Sequence, residues 1–277
     1  MNILITGNTG YIGPVVIDVL KKKYPHFNYI GIDTGFFVRD LMIKNQLPER
    51  KFNIQYWEDV RKLPKNIFDN IDAVIHLAAI SNDPMGNKFE KVTNDINLEA
   101  SVKIAKLSKE AGVKNFVFAS SCSVYGFAGE SARTEGDELN PLTAYAKSKI
   151  GVENKIKDFA TEKFIVTSLR FATACGWSPR LRLDLVLNDF VASAIASGTI
   201  DILSDGSPWR PLINVSDMVR AMDWGMQRKI ENGGKYVSVN VGTESWNYQV
   251  KQLAEAVCDN IPKTNLVINT DAQPDKR

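Results

Sequence analysis

Six short apolar runs punctuate the first 170 residues of this chain: "NILIT", "NYIGID", "NIQYW", "DAVIHLAA", "KNFVFAS" and "KFIVTSLR". Each is nearly continuous rather than alternating with polar residues, which suits strands buried on both faces. Segments with helical periodicity separate several of them. Ile12, Val15, Val16, Val19 and Leu20 recur at i, i+3, i+4, i+7 and i+8, with Pro14 in the first turn, where a missing N–H costs little. "DINLEASVKIAKLSKEAG" repeats the stripe and stops at Gly112, a C-terminal cap, and "TAYAKSKIGVENKIKDFA" reads as a third amphipathic helix. Strand–helix alternation of this kind implies an α/β fold built on a doubly wound parallel sheet.

The rhythm changes near residue 173. "GWSPRLRLDLVLNDFVASAIASG" opens as an irregular basic loop and continues as a helix, and "SDGSPWRPLINVSDM" is a turn-rich connection. Two domains are expected: a sheet domain over 1–172, and a smaller C-terminal substrate domain over 173–277, some of whose elements rejoin the sheet. The closing "LVINTDAQPDKR" ends on a polar turn, so a further C-terminal segment is expected.

A net charge of +2 gives no reason to expect nucleic acid or an acidic membrane surface as partner. No stretch has the length and apolarity of a membrane span, and "ILI" is too short for a signal peptide, so a cytoplasmic protein is expected. Cys122, Cys175 and Cys258 are odd in number and far apart, and His26 and His76 share no ligand spacing with them. That argues against a disulfide framework and against a metal site.

Between the first strand and the first helix lie Gly7, Gly10 and Gly13, a G-x-x-G-x-x-G pattern in the context that a dinucleotide loop requires. Glycines there allow a tight turn and let backbone approach a pyrophosphate, whose charge the helix N-terminus stabilises. Asp33 ends the next strand, twenty residues after Gly13, where a carboxylate accepts hydrogen bonds from ribose hydroxyls and repels the extra phosphate of NADP. A Rossmann-type NAD site follows.

Tyr145 and Lys149 are spaced i, i+4 and so share a helix face. Alone, Y-x-x-x-K is an ordinary helix pair. Behind a nicotinamide loop, and after the serine-rich strand end that carries Ser121, it acquires a chemistry. Tyrosine is a poor base, with a reference pKa of about 10, but a nearby ammonium and the nicotinamide charge favour the phenolate. Tyr145 then takes a proton from a sugar hydroxyl as hydride leaves the same carbon, while Lys149 holds the ribose and Ser121 orients the oxygen. His76 ends a buried strand and reads as a packed core residue, and Cys122 has no general base beside it to activate a thiol.

"TGNTGYIG", "HLAA", "SSCSVYG", "YAKSK" and "WRPLINVSDM" occur in an order and at a spacing that resemble the extended short-chain dehydrogenase/reductases, specifically the NAD-dependent epimerase/dehydratase group acting on nucleotide sugars. The resemblance covers essentially the whole chain. It implies a cofactor site of Gly7, Thr9, Gly10, Tyr11, Ile12, Gly13, Asp33, Asp59, Val60, Leu77, Ala78, Ala79 and Asn97, with Tyr145 and Lys149. Within it, Asp59-Val60 would meet the adenine, Ala78 and Ala79 would pass close to the cofactor, and Asn97 would lie near the active site. Ser121, Tyr145 and Lys149 match the catalytic triad. The substrate, a nucleotide-diphosphate sugar, would meet Ser121, Ser123, Tyr145, Thr173 and Asn188, with Arg210 and Arg277 on its phosphates, a natural task for guanidinium groups. The family also implies a homodimer that pairs the "TAYAKSKIGVENKIKDFA" and "DINLEASVKIAKLSKEAG" helices.

Two departures narrow the reaction. The family's 4,6-dehydratases carry Asp-Glu directly after the catalytic Ser/Thr, whereas this chain has Cys122 and Ser123, so dehydration is disfavoured. Thr173 stands where the family often has asparagine, so the sugar-facing contacts differ from those of common hexose epimerases. A C4 epimerase is the first reading and an NADH-dependent C4 ketoreductase of a 4-keto-6-deoxy sugar the second. A non-catalytic dinucleotide sensor is a distant third, since such proteins typically lose the tyrosine or lysine.

Overall fold

The computed structural model describes residues 1–43, 47–127 and 131–269. Its centre is a parallel sheet of β1 (Asn2–Thr6), β2 (Asn28–Asp33), β3 (Ile54–Trp57), β4 (Ala73–His76), β5 (Asn115–Ser121) and β6 (Ile165–Phe171). The chain next forms β7 (Thr173–Cys175), β8 (Thr199–Ile202) and β9 (Trp209–Asn214), then β10 (Tyr236–Val241), which returns to pair with β6. The seven strands run in the order β10-β6-β5-β4-β1-β2-β3.

Helices cover both faces. α1 (Gly13–Lys23) lies after β1. α2 (Asp83–Lys88), α3 (Glu90–Asn94) and α4 (Ser101–Glu110) lie between β4 and β5, and α5 (Ala144–Lys157) lies between β5 and β6. α6 (Val186–Ser197) follows β7 and α7 (Val215–Gln227) follows β9. Neighbouring strand residues serve opposite layers, as the strand geometry requires. Ile3 and Ile5 of β1 pack with Val16 and Leu20 of α1 and Val219 and Met222 of α7. Leu4 packs on the other side, with Ile104 of α4 and Val152 and Ile156 of α5. Each such fully buried aliphatic side chain contributes about 1.5–3 kcal/mol relative to exposure.

A third core, Cys175, Phe190, Ile200, Leu212, Leu253 and Val257, belongs to a second lobe. It joins α6, the β11-β9-β7 sheet, the β8–β12 pair and α8 (Val250–Asn260), where β11 is Asn247–Gln249 and β12 is Asn265–Ile268. Both α7 and β10 come from the second half of the chain yet pack on and extend the main sheet.

The stretch expected as one helix over 95–112 begins instead as a π-helical turn, Asp95–Ala100, which continues into α4. Two local bonds accompany the wider turn: the Ser101 hydroxyl donates to the Asn97 carbonyl at 2.7 Å, and the Asn97 amide is held by the chain beyond β4. Such turns collect at functional sites. Gly112 ends the helix at a φ of +83°, as its capping role requires. Among the described residues, no helix is long and apolar enough to cross a membrane.

Candidate active site

The sheet reverses its winding between β1 and β4: the chain goes from β1 outward to β2 and β3, and from β4 outward to β5, β6 and β10. The crevice beyond the carboxyl ends of β1 and β4 is where a doubly wound sheet receives its ligand. The glycine loop lies on one side of it. Gly7 has a φ of +71°, and a Cβ there would sit 2.6 Å from the Ala78 amide nitrogen, so glycine lets the β1 turn touch the chain leaving β4. At Gly13 a Cβ would collide with the Asn8 backbone. Gly10 differs: the nearest atom to its would-be Cβ is the Gly7 oxygen at 3.4 Å, which leaves room for a pyrophosphate against the backbone. Ile12 is the N-cap residue of α1, so the helix N-terminus opens directly onto this loop. The Thr9 hydroxyl is buried and without a hydrogen-bond partner among the described residues, a second sign that the loop is shaped for a ligand.

Asp33 ends β2 half-buried, and both its oxygens are anchored. One accepts from the Thr9 amide at 3.0 Å and the other from the Gly35 amide at 2.9 Å. The chain's donors thus hold the carboxylate in place, with lone pairs left for ribose hydroxyls. These residues fit NAD. Asp59 is engaged locally: it caps the short turn that follows through the Arg61 amide and pairs with the Arg61 guanidinium, which holds its carboxyl below the usual range. Val60 beside it is buried in the core.

Across the crevice, the Leu77 amide donates to the Thr6 carbonyl at 3.1 Å, and Ala78 and Ala79 continue along the cleft half-buried. Asn97 clamps this segment, accepting from the Ile80 amide at 2.8 Å and donating to its carbonyl at 2.9 Å. Below lies a buried chain of hydroxyls and imidazole. Ser101 spends its proton on the Asn97 carbonyl, so it accepts from His76 Nε2 at 2.7 Å, and His76 Nδ1 accepts from the Thr6 hydroxyl at 2.6 Å. Burial pushes the His76 imidazole down to about 3, so it is a neutral packing and bonding residue, as expected.

Ser121, Tyr145 and Lys149 converge at the end of β5. The Ser121 hydroxyl accepts from the Ser123 amide at 3.2 Å and lies close enough to the Tyr145 phenol to lower its pKa. Thr143 caps α5 through the Ala146 amide, which fixes the first turn that carries Tyr145. One turn on, Lys149 Nζ donates to the Ala119 carbonyl at 2.7 Å, 4.7 Å from the Phe118 ring centroid and 5.3 Å from that of Tyr145. Burial pushes this ammonium down to about 7.

Burial dominates and pushes Tyr145 up to about 12; the influences that lower it are the Ser121 hydroxyl and the Arg182 guanidinium. The phenol is therefore an acid in the free chain. Burial also pushes the Cys122 thiol up to about 12, and it donates to the Arg170 carbonyl at 3.1 Å, which leaves no thiolate nucleophile.

The substrate-facing candidates are spread over the second lobe. Thr173 starts β7, opposite Leu212 of β9, and Arg210 lies on β9 opposite Tyr248, donating to the Trp209 carbonyl at 2.8 Å. Asn188 is buried, and its amide is used within the chain: it accepts from the Gly176 amide at 3.0 Å and donates to the Tyr11 hydroxyl at 3.3 Å and the Arg182 carbonyl at 3.1 Å. Arg277 lies outside the described residues.

One feature was missed from sequence. Residues 176–184 run as a strap across the crevice. The Tyr11 hydroxyl donates to the Gly176 carbonyl at 2.6 Å, and the Ser178 hydroxyl donates to the Tyr11 carbonyl at 2.6 Å. Arg180 makes a buried 2.8 Å ion pair with Glu49 and donates to the Phe37 carbonyl at 3.0 Å. On the opposite flank Arg182 grips Asp184 through two nitrogens and the Ser81 hydroxyl at 2.7 Å, while Asn82 donates to Asp184 at 2.8 Å. The available signal was the Arg-x-Arg-x-Asp spacing in "SPRLRLD", which reads only as a basic loop until its partners are known.

A family model described as the NAD dependent epimerase/dehydratase family matches residues 3–242. The "Uncharacterized UDP-glucose epimerase YtcB" of Bacillus subtilis is 30% identical over 230 residues, 80% of this chain and 71% of that one. The UDP-glucose 4-epimerase of Lactobacillus helveticus is 28% identical over 238 residues, 80% of this chain and 69% of its own. In fold, the chain is similar to the UDP-glucuronic acid 4-epimerase of Bacillus cereus, with a TM-score of 0.85 at 21% identity, covering 100% of this chain and 88% of the other. With the glycine loop, Asp33 and the Ser–Tyr–Lys cluster in place, this chain belongs to the NAD-dependent epimerase/dehydratase family, and it is an NAD-dependent enzyme of the extended short-chain dehydrogenase/reductase type.

Proposed function

We propose that the chain is a nucleotide-sugar epimerase that inverts a sugar hydroxyl at C4 through transient oxidation and return of the hydride. The observation that carries this reading is the convergence of Ser121, Tyr145 and Lys149 beside the glycine loop, with Cys122 and Ser123 after the serine instead of a carboxylic acid pair. Water elimination needs an acid and a base at those positions. A thiol held protonated by burial and a serine hydroxyl supply neither.

When bound, NAD would supply the acceptor for the C4 hydride and the donor for its return. Gly7, Gly10, Gly13 and the α1 N-terminus would hold its pyrophosphate, and Asp33 its ribose. The Tyr145 oxygen takes the proton of the C4 hydroxyl as the carbon is oxidised and returns it on reduction; Ser121 orients that oxygen, and Lys149 and Arg182 stabilise the charge that appears on it. The keto sugar turns over in the cleft between the two steps. Arg210 holds the substrate's diphosphate, and Thr173 and Ser123 face the sugar. Asn188 acts from below by shaping the strap. A C4 ketoreductase would use the same trio, but its cofactor must leave after each turnover. The strap, bonded to both flanks of the crevice, favours a retained cofactor. The chain functions as a homodimer through α5 and α4.

Replacing Tyr145 with Phe tests the reading. Turnover of nucleotide sugars is expected to fall about 10²- to 10⁴-fold, the range of a lost general acid–base group, with NAD binding retained. A variant with wild-type turnover would overturn the assignment.

A further inference from the structure

Glu153 and Arg170 form a buried ion pair to which the chemistry described above gives no role, although the Glu153 carboxylate raises the Lys149 pKa against the downward push of burial. Glu153 follows Lys149 by one turn on α5, Arg170 lies on β6, and their side chains are 4% and 7% exposed. Arg170 Nη2 reaches Glu153 Oε2 at 2.7 Å, and Nε reaches Oε1 at 3.1 Å. A buried pair is seldom a net source of stability, since apolar residues of similar volume do as well or better. Its partners suggest what it is for.

The Ser120 hydroxyl donates to Glu153 Oε1 at 2.5 Å, and Ser120 is the residue before Ser121. Arg170 grips both ends of the short turn that follows Ser121. Its carbonyl accepts from the Cys122 thiol at 3.1 Å, and Nη1 donates to the Tyr125 hydroxyl at 2.8 Å. The network then reaches β10, where the Tyr125 hydroxyl donates to Asn240 at 2.7 Å and the Ser238 hydroxyl donates to Glu153 at 3.3 Å. The Asn240 backbone amide in turn donates to the Glu135 carboxylate at 2.8 Å and its side chain donates to the Arg133 carbonyl at 3.2 Å, which ties in the loop leading to α5.

We infer that Glu153 and Arg170 are positioning residues: the pair sets the Tyr145–Lys149 face of α5 against the strand end and turn that present Ser121 and Ser123. Lys149 and Glu153 share a helix face, so one flank of α5 meets β5 through the Lys149–Ala119 and Glu153–Ser120 bonds at adjacent residues. A shift of α5 along the strand breaks both at once and separates Tyr145 from Ser121. Side chains held in this way lose rate steeply with small displacements; about 1 Å is enough for about a hundredfold.

The inference rests on the reaction proposed above, and its test is arranged so that the two fail separately. Glu153→Gln keeps an oxygen for Ser120 and Arg170, whereas Glu153→Met removes it. The double variant Glu153→Met/Arg170→Met leaves no charge buried alone and carries the test where a single variant does not fold. In the folded double variant, kcat is expected to fall about a hundredfold with KM for the nucleotide sugar within about twofold. Glu153→Gln should recover part of that loss. The second readout is NMR of the holoenzyme labelled at the tyrosine ring Cζ carbon, with the Tyr145 resonance identified by its loss in Tyr145→Phe. That resonance is expected to move in the double variant.

Wild-type kcat and an unmoved Tyr145 resonance in the folded double variant would overturn the positioning role. Absence of turnover in the wild-type chain would overturn the proposed reaction instead, and the resonance alone then decides on the pair.

Discussion

Arg182 and Ser81, 101 residues apart in the chain, meet at 2.7 Å across the mouth of the crevice. The same guanidinium lowers the pKa of the Tyr145 phenol against the upward push of burial. One side chain therefore closes the strap and tunes the catalytic acid. The two roles separate by substitution. Arg182→Leu should weaken NAD retention about tenfold, the equivalent of one lost charge-assisted contact, and should move the alkaline midpoint of kcat upward. Arg182→Lys keeps the cation but not the planar fork, so it should restore the pH profile more fully than the retention. NAD dissociation rates and pH–rate profiles measure the two effects, and unchanged values in Arg182→Leu would show that the strap is ornamental.

The glycines of the first loop divide by what crowds them. Gly7→Ala combines a φ of +71° with a Cβ 2.6 Å from backbone, so it should lose at least about 1–2 kcal/mol of stability by denaturant unfolding. Gly10→Ala meets only one protein atom, at 3.4 Å. Its stability should stay within about 1 kcal/mol of wild type while NAD affinity falls about tenfold, because the added methyl occupies the pyrophosphate's approach. Equal loss of stability in the two variants would contradict the division.

Lys149 gives the fold a pH dependence that can be isolated. In the unfolded chain the amine stays charged up to about 10.5, but in the folded chain burial brings it to about 7. Between those values the unfolded chain holds the extra proton, so this residue makes stability rise with pH; below about 7 its penalty is complete. Lys149→Met has no amine to titrate. In NAD-free chains unfolded by denaturant, the variant's stability advantage should shrink as pH goes from about 6.5 to about 9.5. A pH-independent difference would place the ammonium in contact with solvent.

Much of the main sheet was legible because its strands are buried on both faces, so that "NILIT" and "DAVIHLAA" admit few readings besides inner parallel strands. Asp33 was legible for a similar reason: the position after the second strand is fixed by the fold. What escaped are contacts between segments remote in sequence. Nothing near Arg182 announces Ser81, and Glu153 and Arg170 look like an ordinary helix surface residue and an ordinary strand residue until the strands are paired. The upward push of burial on the Tyr145 pKa escaped as well, because the extent of that burial depends on the chain around it. Asn188 illustrates the converse. A polar residue beside a cleft invites a ligand contact, yet its amide is spent on Gly176, Tyr11 and Arg182.

The central claim is tested most directly by NMR of nucleotide sugars deuterated at C4, incubated with the enzyme and a trace of NAD. One of them should convert to its C4 stereoisomer with the deuterium kept at C4 and no build-up of NADH. If no sugar converts until stoichiometric NADH is present, and a 4-keto sugar is then consumed in one direction, the chain is a reductase and the epimerase account is wrong.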